Sequence, residues 1–380
     1  MSALRNVLEP GGQYAYSSDT YVRSCAIAIV LIFTAGALLN RRRKSEWSPI
    51  QGSPARYPSS SKVRKSSRLP DNTIFHNNIS SRFLSSFPFL IEIWYWNLSY
   101  WVYQSARAYS AHLIRHDARV HHLAEEHALS ILRIEHCLGI DVELRIQQII
   151  LEHAPWLVTV LATIYYSHIM IGVCFIVYIY KYLRFGTFAR IRRTIAMDNL
   201  LAFIILTAWR CKPPRLMPMQ YGYIDVLHPR IETTVDDTVP GQLISRAVES
   251  EAPSTWNNNS YQLTIAAMPS LHFGTSLFLA ISIMRYAPHR PLRTLAPLWP
   301  ACMLLTILAT ANHWVLDAVV GASVPFFGWR LNRLLENRVF EAIEAWSFWL
   351  LRMEKPLVGS AEDGSRGQRS FRDEESTCRA

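Results

Sequence analysis

Long apolar runs alternate with short polar stretches along most of this chain. A helix needs about 20 mostly apolar residues to cross a bilayer, and seven stretches have or approach that length. The predicted spans are residues 24–40, 83–104, 156–180, 195–211, 263–284, 295–311 and 314–331. The pattern therefore predicts an all-α membrane helix bundle, with six core transmembrane helices and one N-terminal anchor helix.

The polar stretches contain too few apolar side chains to form a core, and we expect them to be disordered. Basic residues follow the first apolar run, which favours a retained anchor over a cleaved signal peptide. The resulting division is a disordered N-terminus 1–23, an anchor helix 24–40, a basic linker 41–82, a membrane domain 83–351 and a disordered tail 352–380.

Half of the chain is hydrophobic, and its formal net charge is +10. A nucleic-acid-binding protein collects basic residues on one face of a polar domain, whereas here they lie in short runs between the apolar stretches. Four runs, Arg41–Lys44, Lys181–Arg193, Arg285–Arg293 and Arg330–Arg333, fall on one side of the predicted membrane. The positive-inside rule makes that side the cytoplasm. We expect no nucleic acid as a partner, and no protein partner is indicated.

The opposite side of the membrane holds residues 105–155 and 212–262 and the turn near His313. A glycosylation sequon, Asn258-Asn259-Ser260, lies in the second of these stretches and agrees with the orientation. We therefore expect a multi-pass protein of the ER, the Golgi or the plasma membrane, with this face lumenal or extracellular.

Three short stretches with reactive side chains fall on that non-cytoplasmic face. The first ends one predicted span, the second opens the next span, and the third joins the last two. They are Lys212-Pro213-Pro214-Arg215, Met268-Pro269-Ser270-Leu271-His272, and Asn312-His313 with Asp317. Their coincidence at one face predicts a single site.

His313 and Asp317 are four residues apart, so on a helix they share a face and the carboxylate can accept the Nδ1 proton. A histidine oriented in this way can act as a general base, or it can attack phosphorus through Nε2. The structural alternative is a His/Asp pair that caps a buried helix end.

Pro269 and Ser270 have the chemistry of a helix start, with the proline in the first turn and the serine as a cap. His272 would then lie beside free backbone N–H groups, which suit a phosphate. The alternative is an ordinary cap with an interfacial histidine.

Lys212 and Arg215, with Arg210 nearby, provide positive charge that can bind phosphate oxygens. Basic residues at the end of a span are otherwise snorkelling anchors. This cluster lies on the side that the positive-inside rule disfavours, which favours a functional role.

In order and spacing the three motifs resemble the type-2 phosphatidic acid phosphatase superfamily, whose blocks are Lys/Arg-Pro, Pro-Ser-x-His and His-x-x-x-Asp. They are most similar to its inositol phosphotransferase branch, which includes inositol phosphorylceramide synthase. The resemblance covers about residues 125 to 330. The segments that carry it are Arg133-Ile134-Glu135, Leu138-Gly139-Ile140, Glu143, Pro213-Pro214-Arg215-Leu216-Met217-Pro218, Gly222-Tyr223-Ile224-Asp225, Ala267-Met268-Pro269-Ser270-Leu271-His272, Asn312-His313-Trp314 and Leu316-Asp317-Ala318.

The resemblance implies that His313 takes the phosphoryl group, with Asp317 as its partner. It implies that His272 protonates the leaving oxygen. The residues implied to hold the phosphate are Lys212, Arg215 and Ser270.

Two positions depart from the superfamily. Leu271 stands where the superfamily often has glycine, and Thr306-Ile307 stands where it has Ser-Arg. The missing arginine removes one phosphate ligand and favours the phosphotransferase-like branch over the simple lipid phosphatases.

Two other functions fit parts of the chain. A cluster of histidines, including an i, i+4 pair, is similar to one box of the membrane di-iron oxygenases and desaturases, but such enzymes need several boxes. The cluster is His112, His116, His121, His122 and His127. Its charged neighbours favour a solvated amphipathic helix. The other alternative is a catalytically inactive protein of the same fold, since Ile307 replaces the arginine.

The sequence therefore predicts an integral membrane lipid phosphatase or phosphotransferase that works through a phosphohistidine. Its donor would be a phospholipid, and its acceptor would be water or the hydroxyl of a lipid such as ceramide. We expect no cofactor and no metal, because Lys212 and Arg215 would neutralise the phosphate. The six cysteines show no metal-binding or disulfide pattern.

Overall fold

The computed structural model describes residues 18–42, 69–115, 117–227 and 264–356. Over these ranges the chain is all-helical, and the β-structure is limited to one bridge between Cys211 and Ala266. The predicted all-α fold class is therefore confirmed. The sequon at 258–260 and His116 lie outside the described residues.

The α-helices are numbered here in chain order. Their bounds are α1 Ser18–Leu39, α2 Ile79–Ser86, α3 Phe89–Ile114, α4 Ala118–Leu138, α5 Glu143–His153, α6 Trp156–Tyr182, α7 Phe185–Ala208, α8 Leu271–Tyr286, α9 Arg290–Leu295, α10 Leu298–Ala309, α11 Val315–Leu331 and α12 Arg338–Leu350. Four 3₁₀ turns accompany them, at Asn72–Phe75, Pro214–Leu216, Met219–Tyr221 and Asn332–Glu336.

Two of these helical stretches are long and apolar enough to cross a membrane. They are α6 and the stretch Arg290–Ala309, which comprises α9 and α10. Helices α8 and α11 have only 16 and 17 residues. The predicted span 263–284 included loop residues before α8, whereas the predicted span 314–331 agrees with α11 to within one residue. The arrangement of six core helices with one anchor therefore stays a prediction.

The predicted span 83–104 is interrupted near its start. Helix α2 ends at Ser86 and α3 begins at Phe89, with Pro88 between them. Proline has no N–H to donate and restricts the residue before it, so it separates two helices readily. The sequence window was correct about α3 but included the end of a separate short helix.

Residues 69–82 contain ordered structure, although we expected the whole of 41–82 to be a disordered linker. Asp71 caps the turn Asn72–Phe75 by accepting from the Thr73 N–H (3.1 Å). The Asn72 side chain donates to the carbonyl of Ala345 in α12 (2.9 Å). This stretch makes a polar contact with α12, a helix far away in sequence. The prediction of disorder rested only on the low number of apolar residues, so it could not detect such a contact.

The described residues group into two compact units. Among the described residues, the first unit comprises 18–29, 101–115, 117–172, 198–227 and 264–328, and the second comprises 30–42, 69–100, 173–197 and 329–356. In the second unit the buried Glu92 accepts two hydrogen bonds from the Arg192 guanidinium (2.7 and 2.6 Å). This pairing gives Glu92, an acid within a predicted span, a structural role.

The three motifs belong to the first unit. There α8 packs against α10, and α10 packs against α5. A Cβ at Gly274 of α8 would collide with the backbone carbonyl of Gly321 in α11, and a Cβ at Gly321 would collide with the carbonyl of Ser270. Helices α8 and α11 therefore touch backbone to backbone, and this contact sets the distance between the second and third motifs.

Candidate active site

Backbone hydrogen bonds join the first motif to the second. The Cys211 N–H donates to the Ile265 carbonyl, and the Ala267 N–H donates to the Cys211 carbonyl (both 3.1 Å). The chain leading into Lys212 therefore runs parallel to the chain leading into Met268. These bonds hold the two motifs side by side whatever their side chains are.

The third motif is bonded to both of the others. The Arg215 N–H donates to the Ala311 carbonyl (2.9 Å), and the Ser270 N–H donates to the Asp317 carbonyl (3.0 Å). The indole N–H of the fully buried Trp314 donates to the Lys212 carbonyl (2.9 Å). The structure thus brings together three motifs that are about 50 residues apart in sequence.

The His313 ring is fixed by a backbone carbonyl. Its Nδ1 lies 2.7 Å from the Ala267 oxygen and 3.6 Å from Oδ2 of Asp317. We expected Asp317 to accept the Nδ1 proton, but the short contact is to Ala267. Because a carbonyl can only accept, Nδ1 carries the proton and Nε2 keeps its lone pair.

Asp317 bonds to the helix that carries it. Its Oδ2 accepts from the Trp314 N–H (2.9 Å) at the start of α11. The residue is fully buried, and its Oδ2 lies 3.6 Å from Nδ1 of His313. Asp317 therefore caps the start of α11 and also lies beside the His313 ring, so both sequence interpretations describe part of its position.

Two further carboxyl groups hold the start of α11. Glu143 accepts from the Val315 N–H (2.8 Å), and Glu135 accepts from the Leu316 N–H (2.7 Å). Both glutamates are fully buried. Since the first N–H groups of a helix lack partners within the helix, these two side chains fix the turn that follows His313.

The two glutamates lie close enough to interact with each other. Burial raises the pKa of Glu135 to about 9, and repulsion from Glu143 and Asp317 acts in the same direction. Burial also raises the pKa of Glu143. A proton is therefore retained on this pair near neutral pH, which relieves the repulsion between two buried carboxyl groups.

His272 lies in the first turn of α8, between two aromatic rings of α6. It stacks on Tyr165, with ring centroids 4.4 Å apart, and meets the edge of His168 at 4.6 Å. The His272 and His313 centroids are 5.9 Å apart. The two predicted catalytic histidines are thus neighbours with separate supports.

Ser270 is the N-cap of α8. It is fully buried, and its Oγ accepts from the Phe273 N–H at 3.5 Å. Helix α8 begins at Leu271, so Pro269 lies before the cap rather than in the first turn as expected. The phosphate-binding role of Ser270 stays a prediction.

Lys212 and Arg215 both form ion pairs in this structure. Lys212 Nζ is 2.7 Å from Glu125, and an Arg215 Nη is 2.6 Å from Asp225. Gln147 holds the residue before Asp225, because its side-chain amide both accepts from and donates to the Ile224 backbone (2.9 and 2.8 Å). A bound phosphate would share these cations with the two carboxylates.

The structure explains one member of the histidine cluster. The His127 ring stacks on Trp209 at 3.9 Å, and its Nδ1–H donates to the Arg210 carbonyl (2.8 Å). Across the described ranges, no three His, Cys, Asp or Glu side chains are grouped as the ligands of a metal would be.

Comparison with known families shows which superfamily contains this chain. Residues 129–331, more than half of the chain, match the family model described as the PAP2 superfamily. The chain belongs to the PAP2 superfamily. Members of the PAP2 superfamily are phosphatases or phosphotransferases that act on phosphate esters. Neither the curated proteins nor the solved structures that were compared gave a match.

The PAP2 match covers all six predicted site residues, whereas Glu125, the ion-pair partner of Lys212, lies before the matched range. Ile307, at the position of the missing arginine, is fully buried with Met303, Leu308 and Ala318 in an apolar cluster.

Sequence reasoning left Tyr165 and His168 without a role. The signal for His168 was an ionisable residue within a predicted span, and its spacing of three residues from Tyr165 placed both on one face of α6.

Proposed function

We propose that the protein is an integral membrane phosphoesterase or phosphotransferase that acts on a phospholipid through a phosphohistidine at His313. The hydrogen bond from Nδ1 to the Ala267 carbonyl carries the proposal, because it leaves Nε2 as the nucleophilic nitrogen. Membership of the PAP2 superfamily supports the reaction class.

In the proposed first step, Nε2 of His313 attacks phosphorus and the bond to the leaving oxygen breaks. His272 gives a proton to that oxygen, while Asp317 stabilises the charged ring of the phosphohistidine. Lys212, Arg215 and Ser270 hold the remaining phosphate oxygens. In the second step, His272 takes a proton from the acceptor hydroxyl as its oxygen attacks the phosphohistidine and releases His313.

The proposed setting is a multi-pass protein of the ER, the Golgi or the plasma membrane, with the site at the lumenal or extracellular face. Two long apolar helices support a membrane location. Resemblance of the motifs to the inositol phosphotransferase branch supports a lipid hydroxyl, such as that of ceramide, as the acceptor. Water as the acceptor would make the protein a phosphatase.

A substrate panel tests the function. The purified protein is incubated with phosphatidylinositol, phosphatidic acid and other phospholipids, with and without ceramide, and products are separated into free phosphate, free headgroup phosphate and headgroup-bearing ceramide. We expect one of these products from the unaltered protein and none from His313→Ala.

Equal product from His313→Ala would contradict the phosphohistidine. A correctly folded protein without product on any substrate would favour the inactive alternative, and bound iron in such a preparation would favour the di-iron alternative.

A further inference from the structure

One face of α3 lies against the segment that leads into the second motif. Ser110 and Ala111 are buried on this face, and Ala111 packs with Leu206 and Ile265. Ile265 is two residues before Ala267, whose carbonyl holds His313. This end of α3 therefore borders the segment that leads into the second motif, although it precedes residues 129–331.

The same face of α3 also contacts the first motif. Ser110 Oγ accepts from the guanidinium of Arg210 (2.9 Å), two residues before Lys212. Arg107 is three residues before Ser110 and four before Ala111, so on a helix it shares their face. The spacing directs Arg107 toward the site.

One N–H group of the Arg107 side chain lacks an acceptor. Its Nε is buried, and none of the residues that the structure describes accepts a hydrogen bond from it. Its guanidinium carbon lies 5.6 Å from the centroid of the Tyr103 ring, a cation–π contact that provides no oxygen or nitrogen acceptor. A buried N–H that lacks an acceptor is costly, and such groups are rare without a ligand or a water.

The charge of Arg107 acts on the candidate site itself. It interacts electrostatically with the rings of both Tyr165 and His272. Arg215 also interacts electrostatically with Tyr165, the ring against which His272 stacks. Arg215 has Asp225 as a counter-charge, whereas Arg107 forms no salt bridge with any acid in the described ranges.

We propose that Arg107 is a phosphate-binding residue of this site and that its guanidinium binds oxygens of the phosphate ester beside His272. The assignment rests on the proposed function, since it requires a phosphate at His313. A planar fork can donate two parallel hydrogen bonds to a phosphate, which would satisfy the buried N–H. It would also supply positive charge that the site lacks at Ile307.

Binding of inorganic phosphate to the purified full-length protein, measured by titration calorimetry in detergent, tests this assignment. Arg107→Gln should weaken binding about tenfold or more, because hydrogen bonds between charged groups are lost. Arg107→Lys should give an intermediate loss, since a point charge replaces only part of the fork. Arg115→Gln is the matched control, because Arg115 is an exposed arginine just after α3, and it should leave the affinity unchanged.

The melting temperature without phosphate is measured on the same samples. Unchanged phosphate affinity in Arg107→Gln would overturn the assignment. A large loss of stability in both Arg107→Gln and Arg107→Lys would make Arg107 a structural residue and would overturn it as well. If the unaltered protein itself fails to bind phosphate and to hydrolyse nitrophenyl phosphate, the proposed function fails.

Discussion

His313 and His272 are neighbouring rings with different supports. A backbone carbonyl holds His313, and its Nε2 is left for bond formation. Aromatic rings of α6 pack against His272. The two roles proposed for these rings, nucleophile and general acid, differ in their response to the leaving group.

Substitution of the two histidines should separate these roles. His313→Ala should be inactive on every substrate, because no covalent intermediate can form. His272→Ala should lose about a hundred- to ten-thousand-fold on alkyl phosphates but much less on nitrophenyl phosphate, whose leaving group departs without a proton. Phosphate release from both esters is measured for each variant. Equal losses of His272→Ala on alkyl and aryl esters would show that His272 is not the acid.

The buried glutamates make a second prediction at this scale. The raised pKa of Glu135 means that the folded protein holds a proton more tightly than the unfolded chain does. The contribution of Glu135 to stability should therefore be greatest below the ordinary carboxyl pKa of about 4.5, and it should fall as pH rises toward about 9. Melting temperature as a function of pH, in detergent, measures this fall.

Glu135→Gln should flatten that pH dependence, because the amide oxygen still accepts from Leu316 but does not titrate. Glu126→Gln is the control, since Glu126 is exposed on the same helix and should leave the slope unchanged. An equal slope in Glu135→Gln would contradict a retained proton on Glu135.

Residue spacing could predict only part of this site. The i, i+4 rule correctly placed Asp317 near His313, because that relation is local to one helix turn. The Ala267 carbonyl and the glutamates at 135 and 143 act from more than 40 residues away. Such contacts depend on the path of the whole chain, and a single sequence contains no direct signal of them.

Among elements, the contact of α8 with α11 is the most sensitive to substitution. Gly274 is two residues after His272, and Gly321 is four residues after Asp317. Because the colliding atoms are backbone, no side chain can rotate to make room for a methyl group. A displacement of either helix changes the separation of the two histidines.

Gly274→Ala should therefore lower the rate of nitrophenyl phosphate hydrolysis by at least tenfold and destabilise the protein by about 1–3 kcal/mol. Gly186→Ala is the matched control, since a Cβ at Gly186 of α7 meets no other atom within 4 Å. Kinetics and thermal unfolding are measured for both variants. Wild-type rates in Gly274→Ala would contradict the tight contact.

Hydrophobic pattern predicted individual elements with unequal success. Helix α6 agrees closely with its predicted span because it is apolar throughout. The bounds of α4 and α5 were not predicted, because both helices mix charged and apolar residues and form no apolar run; only the start of α4 was covered, by the amphipathic helix favoured for the histidine cluster. The ends of α4 have local signals: Asp117 caps it by accepting from the Arg119 N–H (3.0 Å), and Gly139 ends it at a φ of 67° that favours glycine.

For the whole molecule, the predicted topology places the site and the basic clusters on opposite sides of a membrane. Cys137 is exposed on α4, on the predicted lumenal side, and Thr294 is exposed on α9, on the predicted cytoplasmic side. In sealed microsomes, an impermeant maleimide should label a Thr294→Cys variant whose native cysteines are replaced. In a second variant that keeps Cys137 and lacks the other native cysteines, the reagent should leave Cys137 unlabelled until the membrane is opened. The reverse pattern would mean that the orientation is inverted.

The bonds between the three motifs connect mostly main-chain atoms, and this bears on how such a protein can diversify. Point mutations replace side chains, so they leave the Cys211, Ala267, Ala311 and Asp317 main-chain contacts in place. The residues around the reacting phosphate can therefore vary in evolution without dismantling the frame that holds His313. Attempts to redirect the protein toward another phosphate ester should accordingly alter side chains around the site, such as those of α6 beside His272, and keep the chain path of the motifs.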